Sequence, residues 1–390
     1  MLWRGDLASH GLCQHHDIEP LPNGDVLIVA GNAFRARPRS RAGATRTSVR
    51  RSLARHGCCR SRPKGTDEFD VVWQWRAWDH VVQDLDPTKA CYGDVTAFPG
   101  RIDVNGDHRS HAPMSEAARE RFEEERARLE ALGYVGGIGT SSDEAESEED
   151  RERRRAWLDR SGDFLHTNGI DYLPSLDLIV LSSPELNELL VIDHSTTIEE
   201  ARGERGGRHG KGGAILWRWG NPKKYGRGGD SDQDLFYQHD PKWLPPGPNG
   251  ELRLTVFNNG GGRTERNWSS VEELVLPYVE GRGFVLEPDA PFGPFAPAWL
   301  YEDRGNFYSA FISGAERLPN GNTLICSGAG GRAFEVTPDG TTVWNWRCDL
   351  GGDVAPPDHA GNAPEQSMFR ATRYAKDHPG VRVVLEASTK

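Results

Sequence analysis

The chain has 390 residues, with 47 Lys and Arg against 58 Asp and Glu, so its formal net charge is −11. Its mean hydropathy is −0.65, and no apolar run approaches the ~20 residues that a membrane-spanning helix requires. These values argue against a membrane span and against a uniformly basic nucleic-acid-binding protein. With 45 Gly, 25 Pro and 12 Trp, the composition is typical of a turn-rich, aromatic-rich, all-β protein.

A Leu-Pro turn recurs along the chain. Residues 21–24 and 318–321 both read Leu-Pro-Asn-Gly, and looser versions occur at 173–177 and 248–250. Proline fixes φ and Asn-Gly tolerates positive φ, so each copy predicts a hairpin between two strands. The later copy continues through a Gly-rich bend and a Pro-Asp-Gly turn to a further strand, which makes four strands in ~40 residues, as in a propeller blade.

Positive charge is concentrated in residues 35–64, which contain ten Arg, one Lys and no acid. This segment carries +11 and leaves −22 for the remaining 360 residues. We interpret it as a basic irregular insertion, with three origins open: an arm for nucleic acid or an anionic surface, a natural disordered insertion, or a stretch translated out of frame. It lacks the interleaved aromatic residues that stack on bases, so we predict no nucleic-acid partner.

Tryptophan pairs mark a second repeat. The pattern apolar-apolar-Trp-x-Trp occurs at 71–75 and 215–219, and at 342–346 with Thr in the first position. Alternation along a strand places both Trp side chains of a pair on one face. Residues 1–4 resemble a clipped further copy. Together with the turns, these strands predict a single β-propeller domain over residues 1–390.

The blades are separated by long insertions. Ser115 can cap a helix that runs to Leu132, with Glu and Arg four residues apart. Residues 140–155 are polar and charge-segregated, which is typical of a disordered linker. We therefore predict a helical and acidic disordered insertion over residues 106–160.

Histidines recur at one position relative to the Leu-Pro turns. His16 and His239 lie five residues before the Leu of their turns, and His166 lies seven before. Two residues are one strand period, so the three side chains can point the same way. Since the innermost strands of a propeller line its central channel, we expect these histidines to converge on one funnel, although a single such histidine is usually a surface or core residue.

Arg263 ends the Gly-rich segment 257–263, which follows the second strand of the His239 blade. Glycines allow close backbone approach to a ligand, and a guanidinium can clamp a sulfate, phosphate or carboxylate through two hydrogen bonds. Segment 327–332 repeats the pattern with Arg332. A structural bend common to the blades is therefore the alternative interpretation.

The six cysteines form no C-x-x-C pair, so neither a zinc ribbon nor a thioredoxin-like site is predicted. Cys326 and Cys348 lie in one predicted hairpin region. They can pair in an oxidising compartment or remain as free core thiols, and both possibilities are open at this point.

These motifs together resemble the arylsulfate sulfotransferase family, whose members are PAPS-independent and fold as six-bladed β-propellers. The resemblance covers most of residues 12–33, 66–105 and 163–375. The matching motifs are residues 15–24, 78–89, 166–168, 191–197, 218–222, 238–240, 257–263 and 313–323.

The resemblance implies sulfuryl transfer from an aryl sulfate donor to a phenolic acceptor, without a cofactor or a metal, through a transiently sulfated histidine. It implies catalytic roles for His166, His239 and Arg263. His16, Asn168 and Asn259 are the implied substrate-binding residues.

One departure from the family pattern concerns Ser313, which stands five residues before Leu318, where the resemblance predicts the nucleophilic histidine. It favours an alternative function, a non-catalytic propeller that binds a small anion or a protein partner in the same funnel.

The N-terminus is the second departure. Relatives have a further blade before the residue matching Met1, so we expect a truncated start. We also expect no signal peptide in this chain, because no charged region precedes an apolar one, although relatives are often periplasmic or secreted.

Overall fold

The computed structural model describes residues 5–32, 57–106, 165–263, 267–348 and 366–388. The chain divides into two compact units, residues 1–308 and 309–390, which are described separately here. A single propeller domain over 1–390 stays a prediction. The predicted insertion over 106–160 lies outside the described residues except for Gly106.

The first unit contains three four-stranded antiparallel sheets. The first sheet has the order β1 (Leu12–Pro20), β2 (Val26–Asn32), β3 (Gly57–Lys64), β4 (Glu68–Arg76). The second has the order β7 (Gly169–Leu173), β8 (Leu178–Ser183), β9 (Glu188–Asp193), β10 (Trp217–Trp219). The third has the order β11 (His239–Trp243), β12 (Arg253–Asn258), β13 (Ser270–Val275), β16 (Trp299–Glu302). Two strand pairs complete this unit: β5 (Val81–Val82) with β6 (Ile102–Asp103), and β14 (Tyr278–Val279) with β15 (Gly283–Phe284).

The second unit contains a fourth sheet and a helix. The sheet has the order β17 (Gly314–Arg317), β18 (Thr323–Ser327), β19 (Arg332–Val336), β20 (Thr342–Arg347), and helix α1 spans Pro379–Ser388. In all four sheets, strands that follow one another in the chain pair antiparallel, which is the topology of a propeller blade. The prediction of an all-β protein built from propeller blades is confirmed, whereas the number six stays a prediction.

The Leu-Pro turns join the first two strands of each sheet, as predicted. Gly24 has φ 85° and Gly321 has φ 86°, the left-handed region that glycine enters without a steric penalty. The hairpins close alike, because the Leu21 and Leu318 amides each donate to a carbonyl four residues on, at 2.8 Å.

The Trp pairs lie on the terminal strands β4, β10 and β20. In the first unit these indoles are buried and hydrogen-bonded, as buried tryptophans usually are. Trp75 Nε1 donates to the Gly213 carbonyl at 2.7 Å, and Trp217 Nε1 donates to the Gly293 carbonyl at 2.7 Å. Each acceptor belongs to a loop of the next sheet along the chain, so these tryptophans join consecutive blades.

Strand β3 corrects the predicted extent of the basic insertion. Gly57–Lys64, which we placed in an irregular segment, pair with β2 and β4 as a regular blade strand. Their positive charge is compensated locally, since Arg62 donates two hydrogen bonds to the buried Asp25 at 3.0 and 3.1 Å. The rest of the predicted insertion, residues 35–56, lies outside the described residues.

The cysteines are free thiols, including Cys326 and Cys348. Cys58 and Cys59 lie buried in β3. Burial raises the pKa of the Cys59 thiol to about 11, so it remains protonated near neutral pH. Their part in this fold is that of small apolar core residues.

A buried ion pair links β10 to β9. Arg218 and Glu188 are both fully buried, and Arg218 Nε donates to Glu188 Oε1 at 2.8 Å. Arg218 Nη1 also donates to the Arg101 carbonyl at 2.8 Å. The arginine therefore anchors loop 99–101 to the second sheet.

We predict that Glu188→Gln lowers the free energy of unfolding by about 3–5 kcal/mol, because it leaves a buried guanidinium without its counter-charge. Urea denaturation measures this change. The matched control is Asp230→Asn, which removes the exposed partner of Lys223 and should cost less than about 1 kcal/mol. Equal losses in the two variants would contradict the assignment.

Candidate functional site

The innermost strands of the three sheets in the first unit lie side by side, and carboxylates connect them. Asp17 Oδ2, on β1, accepts from the backbone amide of Ile170 on β7 at 3.2 Å. Asp171 Oδ2, on β7, accepts from the amide of Trp243 on β11 at 2.6 Å. Strands from successive blades thereby come into fixed register, as the funnel prediction requires.

A lysine sits among the acids at this level. Lys242 Nζ lies 3.9 Å from Glu19, 3.7 Å from Asp171 and 3.9 Å from Asp240. Burial raises the pKa of the Asp171 carboxyl, and the Lys242 charge opposes that rise. Glu19, Asp171 and Lys242 each stand two residues before the Leu of a Leu-Pro turn, a regularity that could have revealed this cluster from the sequence.

The structure brings His16 and His166 together as predicted. Their Nε2 atoms are 2.9 Å apart, although 150 residues separate them. His15 joins the pair, with its ring centroid 4.2 Å from that of His16 and 4.7 Å from that of His166. His16 is exposed and the other two are half-buried.

Local backbone irregularity explains how both adjacent histidines reach His166. The register of β1 with β2 shifts between Gln14 and Ile18, and such a bulge re-aims side chains. His16 has φ 55° and His166 has φ 44°, which are uncommon for residues other than glycine. In a regular strand His15 would face away from His16, so the alternation rule missed it.

His239, which we predicted to converge with His16 and His166, contacts Asn259 instead. His239 Nδ1 lies 2.7 Å from Asn259 Oδ1 and 3.1 Å from the Tyr237 carbonyl oxygen. A carbonyl oxygen only accepts, so Nδ1 carries a proton. In the neutral ring, Nε2 then holds the lone pair.

Asn168 connects the two groups. This residue is buried, and its Nδ2 donates to the Gln238 carbonyl at 2.9 Å. Gln238 directly precedes His239, and Asn168 lies two residues after His166. The amide therefore connects the segment that carries His166 to the start of β11, which carries His239.

Arg263 is held within its own sheet. Its guanidinium carbon lies 4.8 Å from the Phe236 ring centroid and 4.3 Å from that of Trp268. Its Nη2 donates to Ser270 Oγ at 3.4 Å. Burial lowers the pKa of Arg263, and nearby carboxylates, Glu272 foremost, oppose the shift.

Ser313, in the second unit, repeats the left-handed conformation of His16 with φ 88°. Its Oγ accepts from the Gly328 amide at 3.0 Å and lies 2.8 Å from Ser309 Oγ. The hydroxyl of this buried residue thus takes part in the hydrogen bonding of a blade bend.

Four-stranded blades with histidines gathered on their inner strands define a β-propeller protein with a candidate site on those strands. A sequence model of the family described as Arylsulfotransferase (ASST) matches residues 5–345. The chain belongs to this family. Among the described residues, no helix is long and apolar enough to cross a membrane.

The chain is less similar to solved structures than to this family model. A protein of unknown function from Bacteroides caccae is 13% identical, with a TM-score of 0.25 over 46% of this chain and 45% of that one. The β-propeller domain of Cps50 (Swd1) from Myceliophteria thermophila is 10% identical, with a TM-score of 0.27 over 54% of this chain and 49% of that one. The alignments thus span about half of each solved chain. No curated protein matches the sequence significantly.

We predict that Asn168→Ala lowers the free energy of unfolding by about 0.5–1.5 kcal/mol, because the buried Gln238 carbonyl loses one of its two side-chain hydrogen bonds and keeps the one from Ser182 Oγ at 3.2 Å. Chemical denaturation measures the loss. Asn306→Ala is the control, because Asn306 is exposed and such changes stay within about 0.5 kcal/mol. A similarly small change at Asn168 would argue against its linking role.

Proposed function

We propose that the protein transfers a sulfuryl group from an aryl sulfate to a phenolic acceptor without PAPS. Family membership supports the reaction class. The single observation that carries the proposal for this site is the 2.9 Å approach of His16 Nε2, on the inner strand β1, to His166 Nε2, in the segment just before the inner strand β7.

Two imidazole nitrogens at this distance share one proton, because one must donate and the other accept. The pair therefore contains a proton donor and a proton acceptor next to each other. Sulfuryl transfer needs both, since the departing phenolate takes up a proton and the acceptor phenol gives one away. General acid–base catalysis of this type contributes roughly 10²–10⁴-fold to a rate.

In the proposed reaction, the bond between sulfur and the donor's aryl oxygen breaks, and the acceptor's oxygen bonds to sulfur. The His16–His166 pair, in the form with one imidazolium and one neutral imidazole, protonates the leaving oxygen and becomes two neutral imidazoles. His239 Nε2, its tautomer set by the Tyr237 carbonyl, takes the acceptor's proton. A protonated base and a deprotonated pair then return to the starting state by proton exchange with solvent.

Anion binding is the second requirement, because an aryl sulfate is negatively charged and the chain is acidic as a whole. We propose that Asn259 and Arg263, at either end of one Gly-rich segment, contact the sulfate. Asn168 acts as a positioning residue through Gln238. For Arg263 to contact the sulfate, substrate must reach the guanidinium that stacks on Phe236 and Trp268.

We predict that the full chain releases 4-nitrophenol from 4-nitrophenyl sulfate, and faster when phenol is added, because phenol accepts the sulfuryl group. Absorbance measures the release, and phenyl sulfate is detected by mass spectrometry. His166→Gln and His239→Gln should each lower kcat by roughly 10²–10⁴-fold. His209→Gln, a half-buried loop histidine, should leave it unchanged.

The proposal fails if the wild-type chain releases no more 4-nitrophenol than the two histidine variants do. Saturable binding of the aryl sulfate without turnover would instead select the anion-binding propeller. That alternative is favoured by Ser313, whose hydroxyl occupies the strand position where the family resemblance predicts a histidine.

A further inference from the structure

We propose that His15, His16 and His166 bind one divalent transition-metal ion of the Zn²⁺ class. The three residues each offer one ring nitrogen, and these nitrogens all lie within 4.8 Å of one another. Neutral imidazole is a preferred ligand of Zn²⁺, Ni²⁺ and Cu²⁺. The inference goes beyond the proposed reaction, which uses His16 and His166 without a metal.

The His16–His166 distance suits a common ion after a small side-chain rotation, and the His15 ring must turn further to bring its nitrogen to the same ion. Zn–N bonds are about 2.0–2.1 Å long, so two nitrogens 2.9 Å apart subtend an angle of about 90° at a shared ion. Separation by a few tenths of an ångström brings that angle to the tetrahedral value. The exposed His16 ring has room to move, and three histidines leave a fourth position open, as in catalytic zinc sites.

The hydrogen bonding of His15 matches that of a metal ligand. His15 Nδ1 lies 3.1 Å from the Thr167 carbonyl oxygen, so Nδ1 carries the proton and Nε2 presents its lone pair. Metal-bound histidines generally donate their other N–H to a carbonyl or carboxylate, which fixes the ring orientation. Here the acceptor is the carbonyl of Thr167, the residue directly after His166. The segment that carries His166 therefore orients the ring of His15.

Backbone strain is concentrated at the same place. His16 and His166 both have positive φ, a conformation that recurs at functional sites in residues other than glycine. A proton shared by the pair and a bound metal ion are alternative occupants of the same nitrogens.

The test uses isothermal titration of the full chain with Zn²⁺ after removal of bound metals by a chelator. We expect one ion per chain. His16→Asn and His15→Gln should each weaken binding at least about 100-fold, because even loss of a ligand's outer-shell partner costs 10–100-fold. Asn tolerates positive φ, so His16→Asn keeps the local backbone and decides the matter if His15→Gln does not fold.

His239→Gln is the matched control, since it removes a histidine from the next inner strand and should leave Zn²⁺ affinity unchanged. A Co²⁺ titration tests for thiolate ligands, because a thiolate adds an intense near-ultraviolet charge-transfer band that imidazole lacks. Unchanged affinity in His16→Asn, no saturable Zn²⁺ binding, or such a band would each overturn the proposal. None of these readouts depends on sulfuryl transfer, so the two proposals stand or fall separately.

Discussion

Carboxylates on the inner strands hold the candidate site together. Asp17 accepts the Ile170 amide at 3.2 Å, and Asp171 accepts the Trp243 amide at 2.6 Å. Each bond fixes an inner strand to that of the next blade along the chain. Because His16 precedes Asp17 and His166 precedes β7, the same register brings their rings into contact. The buried tryptophans of β4 and β10 repeat this arrangement further from the inner strands, where indole N–H groups bind loops of the following blade.

Much of the blade architecture could be predicted because it rests on local chemistry that repeats. Leu-Pro-Asn-Gly specifies a hairpin through φ preferences, and Trp-x-Trp marks a strand with one tryptophan-bearing face. Strand β3 was not predicted because its arginines make the sequence look irregular. The carboxylate that compensates their charge, Asp25, lies more than thirty residues away in the sequence. His15 was not predicted because a bulge in β1 interrupts the alternation of side chains between the two faces of the strand. Ion pairs between residues distant in sequence, and bulges in strands, both depend on the tertiary structure.

The site combines an acidic protein with a few well-placed cations. Lys242 is surrounded by three carboxylates, which compensate most of its positive charge. An imidazole can be protonated or neutral. The protonated form suits an anionic substrate, and the neutral form suits a metal ion. If both proposals hold, a proton, the sulfate of the substrate and a metal ion compete for the His16–His166 pair. Which one occupies it depends on pH and on metal supply, because imidazole must be neutral to bind metal.

The central claim is that His16 and His166 act as one proton-sharing unit. A double-mutant cycle on kcat for sulfuryl transfer tests it most directly, using His16→Asn, His166→Gln and the double variant. Groups that act together are strongly non-additive, so the double variant should be no slower than the slower single variant. The coupling should exceed the 0.3–0.5 kcal/mol within which independent sites add. Additive losses would contradict the account, because they would mean that each histidine acts alone.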